Sequence, residues 1–179
     1  MDKILIKKIS KEVYQQKGFP LGPFNECPTC KCGENQQGGA CCEDGADVDK
    51  EAYELILKHK DLLKSKLGFS IEECFKKDWL ENDSEFLGGK GISTTIKNNT
   101  CPFQSPKDRC CELVKVVLEN DLPRKMIPST CRLYPLLWDN GELFVREIEK
   151  NCICAQKENN AKSIFETQKK DIEDIFYFE

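Results

Sequence analysis

Twelve cysteines in a chain of 179 residues, beside a single histidine, constrain this sequence more than any other feature. Five of them, Cys27, Cys30, Cys32, Cys41 and Cys42, fall in a stretch otherwise made mostly of Pro, Thr, Lys, Gly, Glu, Asn and Gln. Such a stretch has almost no apolar surface to withdraw from water, while ordering each backbone residue costs about 1–2 kcal/mol. It cannot fold by burial alone, so sulfur chemistry has to order it. Thiols pair into disulfides in an oxidising compartment and stay free for metal or redox chemistry in a reducing one. Met1-Asp2-Lys3-Ile4-Leu5-Ile6-Lys7-Lys8 holds three consecutive apolar residues before two lysines, too few for the core of a secretory leader. The expectation is a cytoplasmic protein with free thiolates.

Composition narrows the partners. The formal net charge is -4, with Lys and Arg scattered, so there is no electrostatic footprint for nucleic acid or anionic lipid. Hydrophobic content of 39% and charged content of 32% fit an ordinary globular chain, and no stretch approaches the roughly 20 apolar residues of a membrane span. The length suits one domain over residues 1–179.

Periodicity gives the elements. Ile4, Leu5, Ile9 and Val13 predict a short helix or strand-helix lead-in before Gly18-Phe19-Pro20-Leu21-Gly22-Pro23 breaks it. From Asp49, the residues Ala52, Leu55, Ile56, His59, Leu62, Leu63 and Leu67 recur at three and four, predicting one long helix ended by Gly68. Ser70-Ile71-Glu72-Glu73 reads as a capping box opening a second, shorter helix with Ile71, Cys74, Phe75 and Trp79 on its apolar face. Residues 82–100 read as a loop and a short strand at Ile92–Ile96 that delivers Cys101. A third helix is expected from Asp108 through Leu118, with Cys110 and Cys111 in its first turn. Asp139-Asn140-Gly141-Glu142 between apolar runs predicts a β-hairpin near residues 132–149. Ile164, Phe165, Ile172, Ile175 and Phe176 predict a docked C-terminal helix over 157–178. The expected fold is α+β, a mainly helical single domain with cysteine-rich metal-binding loops.

Cys27-Pro28-Thr29-Cys30 has the Cys-x2-Cys spacing that lets two sulfurs face one metal from a tight turn. Alone it is weak evidence; with Cys32, Cys41, Cys42, Cys101, Cys110, Cys131 and Cys152 it becomes a constellation. A closed zinc site or a four-iron four-sulfur cluster takes four thiolates, so eight or more point to two centres or one polynuclear centre. Zinc binding of about 10–16 kcal/mol is comparable with a whole domain's stability of about 5–15 kcal/mol, enough to order residues 25–45. A two-residue turn at Asn140-Gly141 sets Cys131 opposite Lys150, with Cys152 its diagonal neighbour and Cys154 the substitute if Pro135 shifts the register. Cys74, on an apolar stripe, is read as a buried small hydrophobe, and His59 as a core histidine. Cys110 is preferred to Cys111 because it lies nearer the turn. The Gly88-Gly89-Lys90-Gly91 run lacks the strand-loop-helix setting of a phosphate cradle.

Three segments in order, Cys27 to Gly39-Ala40-Cys41-Cys42, then Cys101-Pro102-Phe103 with Cys110, then Pro128-Ser129-Thr130-Cys131-Arg132-Leu133-Tyr134-Pro135, carry a likeness to a known family. The chain resembles the YkgJ-type cysteine-cluster proteins, described as zinc- or iron-chelating, over residues 25–155. The resemblance implies Cys27, Cys30, Cys41, Cys42, Cys101, Cys110 and Cys131 as metal ligands, with a last one at Cys152 or Cys154. It departs from the family in the length between Cys30 and Cys41, which leaves Cys32 as an alternative to Cys30, and in the extra segment between Cys110 and Cys131. Some relatives resemble flagellin lysine methylases, so an iron-sulfur redox or methyl-transfer enzyme stands beside the metal-binding reading. A disulfide-stapled binding module is the third. The expected cofactor is zinc or iron, including a four-iron four-sulfur cluster, and metal ions are the expected partners.

Overall fold

The computed structural model describes residues 3–16, 42–146 and 162–179. The architecture is α+β. About 39% of it is helical and 26% extended, a more even division than a mainly helical domain. The excess of strand has a specific origin in the segment after Gly68.

Strands β1 (Ile4–Ile6) and β2 (Lys8–Ile9) lead into the short helix α1 (Lys11–Gln15), as the lead-in pattern predicts. Strand β3 (Asp47–Asp49) runs directly into helix α2 (Lys50–Lys58), which buries Ala52 and Ile56. The expected long helix breaks at His59, whose backbone leaves helical values at φ -109° and ψ 23°, and resumes as α3 (Lys60–Leu67). Gly68 ends α3 in the left-handed region at φ 78°, where a side chain is disfavoured.

The expected second amphipathic helix is not formed. Ile71–Cys74 makes a single 3-10 turn without a side-chain cap at Ser70, and Phe75–Glu81 is strand β4. β4 pairs antiparallel with β5 (Lys90–Thr94), which pairs antiparallel with β3 on its other edge. Phe75 and Trp79 read equally well as helix-spaced or strand-borne; pairing with β5 and edge contacts of both rings with Tyr53, at 4.7 and 4.9 Å, decide for the strand. β5 ends at Thr94, short of the predicted Ile96.

Helix α4 (Glu112–Glu119) starts later than expected, placing Cys110 and Cys111 ahead of it rather than in its first turn. Pro128 precedes helix α5 (Ser129–Leu133), and the Tyr134–Pro135 bond is cis. The hairpin forms with β6 (Leu136–Asp139) and β7 (Glu142–Val145), in the register counted outward from Asn140-Gly141. Its first strand starts later than 132, because Arg132 and Leu133 lie in α5; Cys131 is helical and off the ladder, and Lys150 and Cys152 lie outside the described residues. The C-terminal segment folds as α6 (Ile164–Thr167), α7 (Lys169–Ile175) and β8 (Phe176–Phe178). Its last residues are therefore a strand, parallel to β1, and not the end of a docked helix.

Two apolar cores result. One gathers Val48, Ile56, Leu63, Ile71, Cys74, Phe75, Phe103, Val116 and Met126, with Cys42, Cys101, Cys111 and Cys131 packed in or against it. The other joins β1, β7, α7 and β8 through Ile4, Ile6, Leu143, Ile172 and Phe176. Phe176 is core as expected and Phe165 packs on it, whereas Phe178 is exposed. Among the described residues no helix is long and apolar enough to cross a membrane.

Candidate metal centre

Cys42 stands at the entrance to β3, and its carbonyl oxygen is a fixed point. It accepts the Cys101 backbone N–H at 2.6 Å, the Thr100 hydroxyl at 3.1 Å and the Gly45 N–H at 3.3 Å. Gly45 turns the chain here with φ 79°, and a Cβ at that position would lie 2.6 Å from Thr94 Oγ1. The close approach is used: the Ala46 N–H donates to Thr94 Oγ1 at 2.9 Å, and the Thr94 N–H returns to the Ala46 carbonyl at 2.8 Å. The end of β5 thereby carries the Cys42 turn.

Cys101 follows a tight bridge between Lys97 and Thr100 and is 6% exposed. The chain then folds back on itself, pairing Gln104 with Cys111, while Ser105 N–H donates to the Cys110 carbonyl and Glu112 N–H to the Phe103 carbonyl, each at 2.8 Å. That fold-back brings Cys111 beside Cys101. Cys111 is the residue before α4, with extended backbone, and the Lys115 N–H donates to its carbonyl at 3.1 Å. Cys131 arrives on α5, whose neighbouring Thr130 hydroxyl donates to the Asp47 carbonyl at 2.8 Å.

The electrostatics tie these four sulfurs together. Burial raises the Cys101 thiol above the ordinary thiol range, and the charges of Cys111 and Cys42 raise it further; hydrogen bonds from the Phe103 backbone and the Thr94 side chain work the other way. Burial, then Cys42, pushes Cys111 up to about 12, against hydrogen bonding from the Val114 and Leu113 backbone. Cys131 is raised well above 9.0 by burial and then by Cys111, Cys101 and Cys42. Cys42, Cys111 and Cys131 are half-buried residues, and Cys101 is buried. Four thiols in mutual charge range cannot all ionise without a compensating cation.

Zinc-sulfur bonds of about 2.3 Å would put sulfurs about 3.8 Å apart around one ion. Among the described residues no group of three or more His, Cys, Asp or Glu side chains is arranged to hold a metal ion as it stands. The four cysteines share one apolar core without being closed into a coordination sphere. Their chemistry fits a soft divalent ion or an iron-sulfur cluster, since both take thiolates.

Of the cysteines predicted as ligands, Cys42, Cys101 and Cys131 pack in or against the same apolar core. Cys110 is buried; its thiol donates to the Asp108 carbonyl at 3.6 Å and its N–H to the Asp108 carboxyl at 3.1 Å. The charge acting on Cys101 and Cys131 comes from Cys111, the alternative that sequence reasoning ranked second. The missed signal was the helix start: had Glu112 been taken as the first helical residue, Cys111 would have stood at the cap. Cys74 is fully buried, pushed up to about 12 by that burial, and its thiol donates to the Ser70 carbonyl at 4.0 Å; the core assignment holds. His59 is a half-buried residue at the α2–α3 junction, not a core histidine. Cys27, Cys30, Cys32, Cys41, Cys152 and Cys154 lie outside the described residues. Compared with family models, with curated proteins and with solved structures, the chain finds no match in any of the three.

Proposed function

We propose that this chain is a metal-binding protein that holds zinc or iron, the latter including an iron-sulfur cluster, through clustered cysteine thiolates. The observation that carries the reading is that Cys42, Cys101, Cys111 and Cys131 pack in or against one apolar core, with Cys42 and Cys101 joined by a backbone hydrogen bond. Thiols that only fill a core, like Cys74, feel burial first and otherwise answer to Lys97, Glu73 and Glu72; Cys101, Cys111 and Cys131 answer to burial and then to other thiols. A cation placed among them would reverse the repulsion and draw the sulfurs in as thiolates, releasing their protons. The further donors in this reading are Cys27, Cys30, Cys32, Cys41, Cys110 and Cys152, which would complete a second centre or a polynuclear one. The motif likeness to the YkgJ-type cysteine-cluster proteins supports the same reading, with metal ions as the partners and a cytoplasmic, reducing setting.

The test is elemental analysis with an absorption spectrum on protein purified without oxygen. Stoichiometric zinc in colourless protein, or iron with acid-labile sulfide in brown protein, is the expected result. Absence of both metals, with paired sulfurs by mass spectrometry, would overturn the reading in favour of disulfides.

A further inference from the structure

We propose that Asp49 is a positioning residue that aims Cys131 into the thiol cluster; the inference rests on the metal-binding reading. Asp49 closes β3 and stands just before α2, where an aspartate side chain ordinarily caps the helix. It makes no capping bond. Its side chain turns away, is 3% exposed, and is spent on a segment eighty residues further along the chain. Oδ2 accepts the Ser129 backbone N–H at 2.8 Å, Oδ1 accepts the Ser129 hydroxyl at 2.8 Å, and Oδ1 also takes the Leu87 N–H at 3.3 Å.

The two bonds from Ser129 fall on the first residue of α5, two before Cys131. A helix of five residues is too short to hold its own conformation. Its start is defined by what grips it from outside, here Asp49 on Ser129 and the Asp47 carbonyl on Thr130. Asp47 and Asp49 pair with Ser93 and Gly91 of β5, and Thr94, next along that strand, carries the Cys42 turn through Ala46, while the Cys42 carbonyl accepts the Cys101 N–H. One sheet therefore indexes three sulfurs, and Asp49 is the link to the third. Both carboxyl oxygens are already committed, so Asp49 acts through Cys131 and not as a ligand.

A general loss of stability and a loss of aim are separated by a double-mutant cycle. Cobalt(II) is titrated into the full chain against a chelator, reading affinity and the thiolate-to-cobalt charge-transfer band, for the unsubstituted chain, Asp49→Asn, Cys131→Ser and the double variant. Asn keeps the shape but sets an amide N–H against the donors of Ser129. Asp49→Asn is expected to lower cobalt affinity by about 10–100-fold, the usual effect of removing a group that orients a ligand, and to weaken the band. In the Cys131→Ser background the same substitution changes neither. An undiminished effect in that background, or cobalt binding by Asp49→Asn equal to that of the unsubstituted chain, overturns the proposal. Should Asp49→Asn not fold by circular dichroism, Ser129→Ala, which removes only the hydroxyl bond, takes its place in the cycle with a smaller fall expected. If the unsubstituted chain binds neither cobalt, zinc nor iron, the metal reading itself fails and Asp49 loses its role with it.

Discussion

The backbone N–H of Cys101 donates to the carbonyl oxygen of Cys42 at 2.6 Å. Two segments far apart in sequence are joined at the residues that carry sulfur, so their side chains start from a common anchor. Serine at Cys42, Cys101, Cys111 or Cys131 is therefore expected to lower zinc affinity by at least about tenfold, measured by competition with a chromophoric chelator. Cys74→Ser leaves that affinity unchanged and instead lowers stability, because a hydroxyl replaces a buried thiol.

Asp171 is 5% exposed at its side chain and holds two guanidinium groups: Arg124 as a two-pronged pair at 3.0 and 2.5 Å, and Arg132, 2% exposed, at 3.5 Å. Asp174 takes Arg132 from the other side at 2.9 Å. Asp171→Ala leaves the buried Arg132 charge half-compensated, and a loss of about 3–5 kcal/mol is expected. Urea unfolding of the variant beside the parent reads it directly.

Gly91 faces the ring of Phe86 across the β5 strand, and a Cβ added there would lie 2.0 Å from Phe86 Cδ1. Gly91→Ala is expected to cost about 1–3 kcal/mol through overpacking. Combining it with Phe86→Leu recovers part of that loss in thermal unfolding, since the clash is with a ring and not with backbone.

Two carboxyls give opposite pH dependences. Burial raises Glu85 above its ordinary value, opposed by the Asn140 N–H bond and assisted by Asp139 and Asp83. A carboxyl raised in the folded state favours folding when protonated, so its contribution is complete at low pH and is lost as pH rises through the folded value. Glu85→Gln is thus expected to raise stability at neutral pH by less than about 1 kcal/mol, given its partial exposure. Glu72 is the reverse: hydrogen bonds from Lys60 and Ser70 hold it down to about 2. Its contribution is present above the ordinary carboxylate range and is lost as pH falls towards 2. Midpoint temperatures of Glu72→Gln and the parent converge in strong acid and separate above it.

Where the sequence carried a local signal, it placed elements well. Asn140-Gly141 gave the hairpin and its register, Gly68 gave the end of a helix, and the spacing of Ala52 and Ile56 gave the face of α2. It misplaced elements whose conformation is decided by distant partners. Phe75 and Trp79 are compatible with a helix until β5 offers a ladder, and Phe176–Phe178 becomes a strand only because β1 lies alongside. The thiol set followed the same division. Cys42, Cys101 and Cys131, singled out by the abundance of cysteine in a histidine-poor chain, pack in or against one apolar core. The exchange of Cys110 for Cys111 was not readable, because one residue of drift in a helix start redirects a side chain by about 100°. Asp49 left no signal, since an aspartate before a helix ordinarily announces a cap.

The parallel pairing of β1 with β8 sets Ile4 beside Phe176 and Ile6 beside Phe178. During synthesis the early strand emerges long before its mate exists, so the core built on Ile4 and Ile6 has to wait for nearly the whole chain. The cysteine-bearing core draws its members from residues 42–131 and carries no such delay. The cysteine-bearing core can therefore form before the pairing of β1 with β8, which makes that pairing the later folding event.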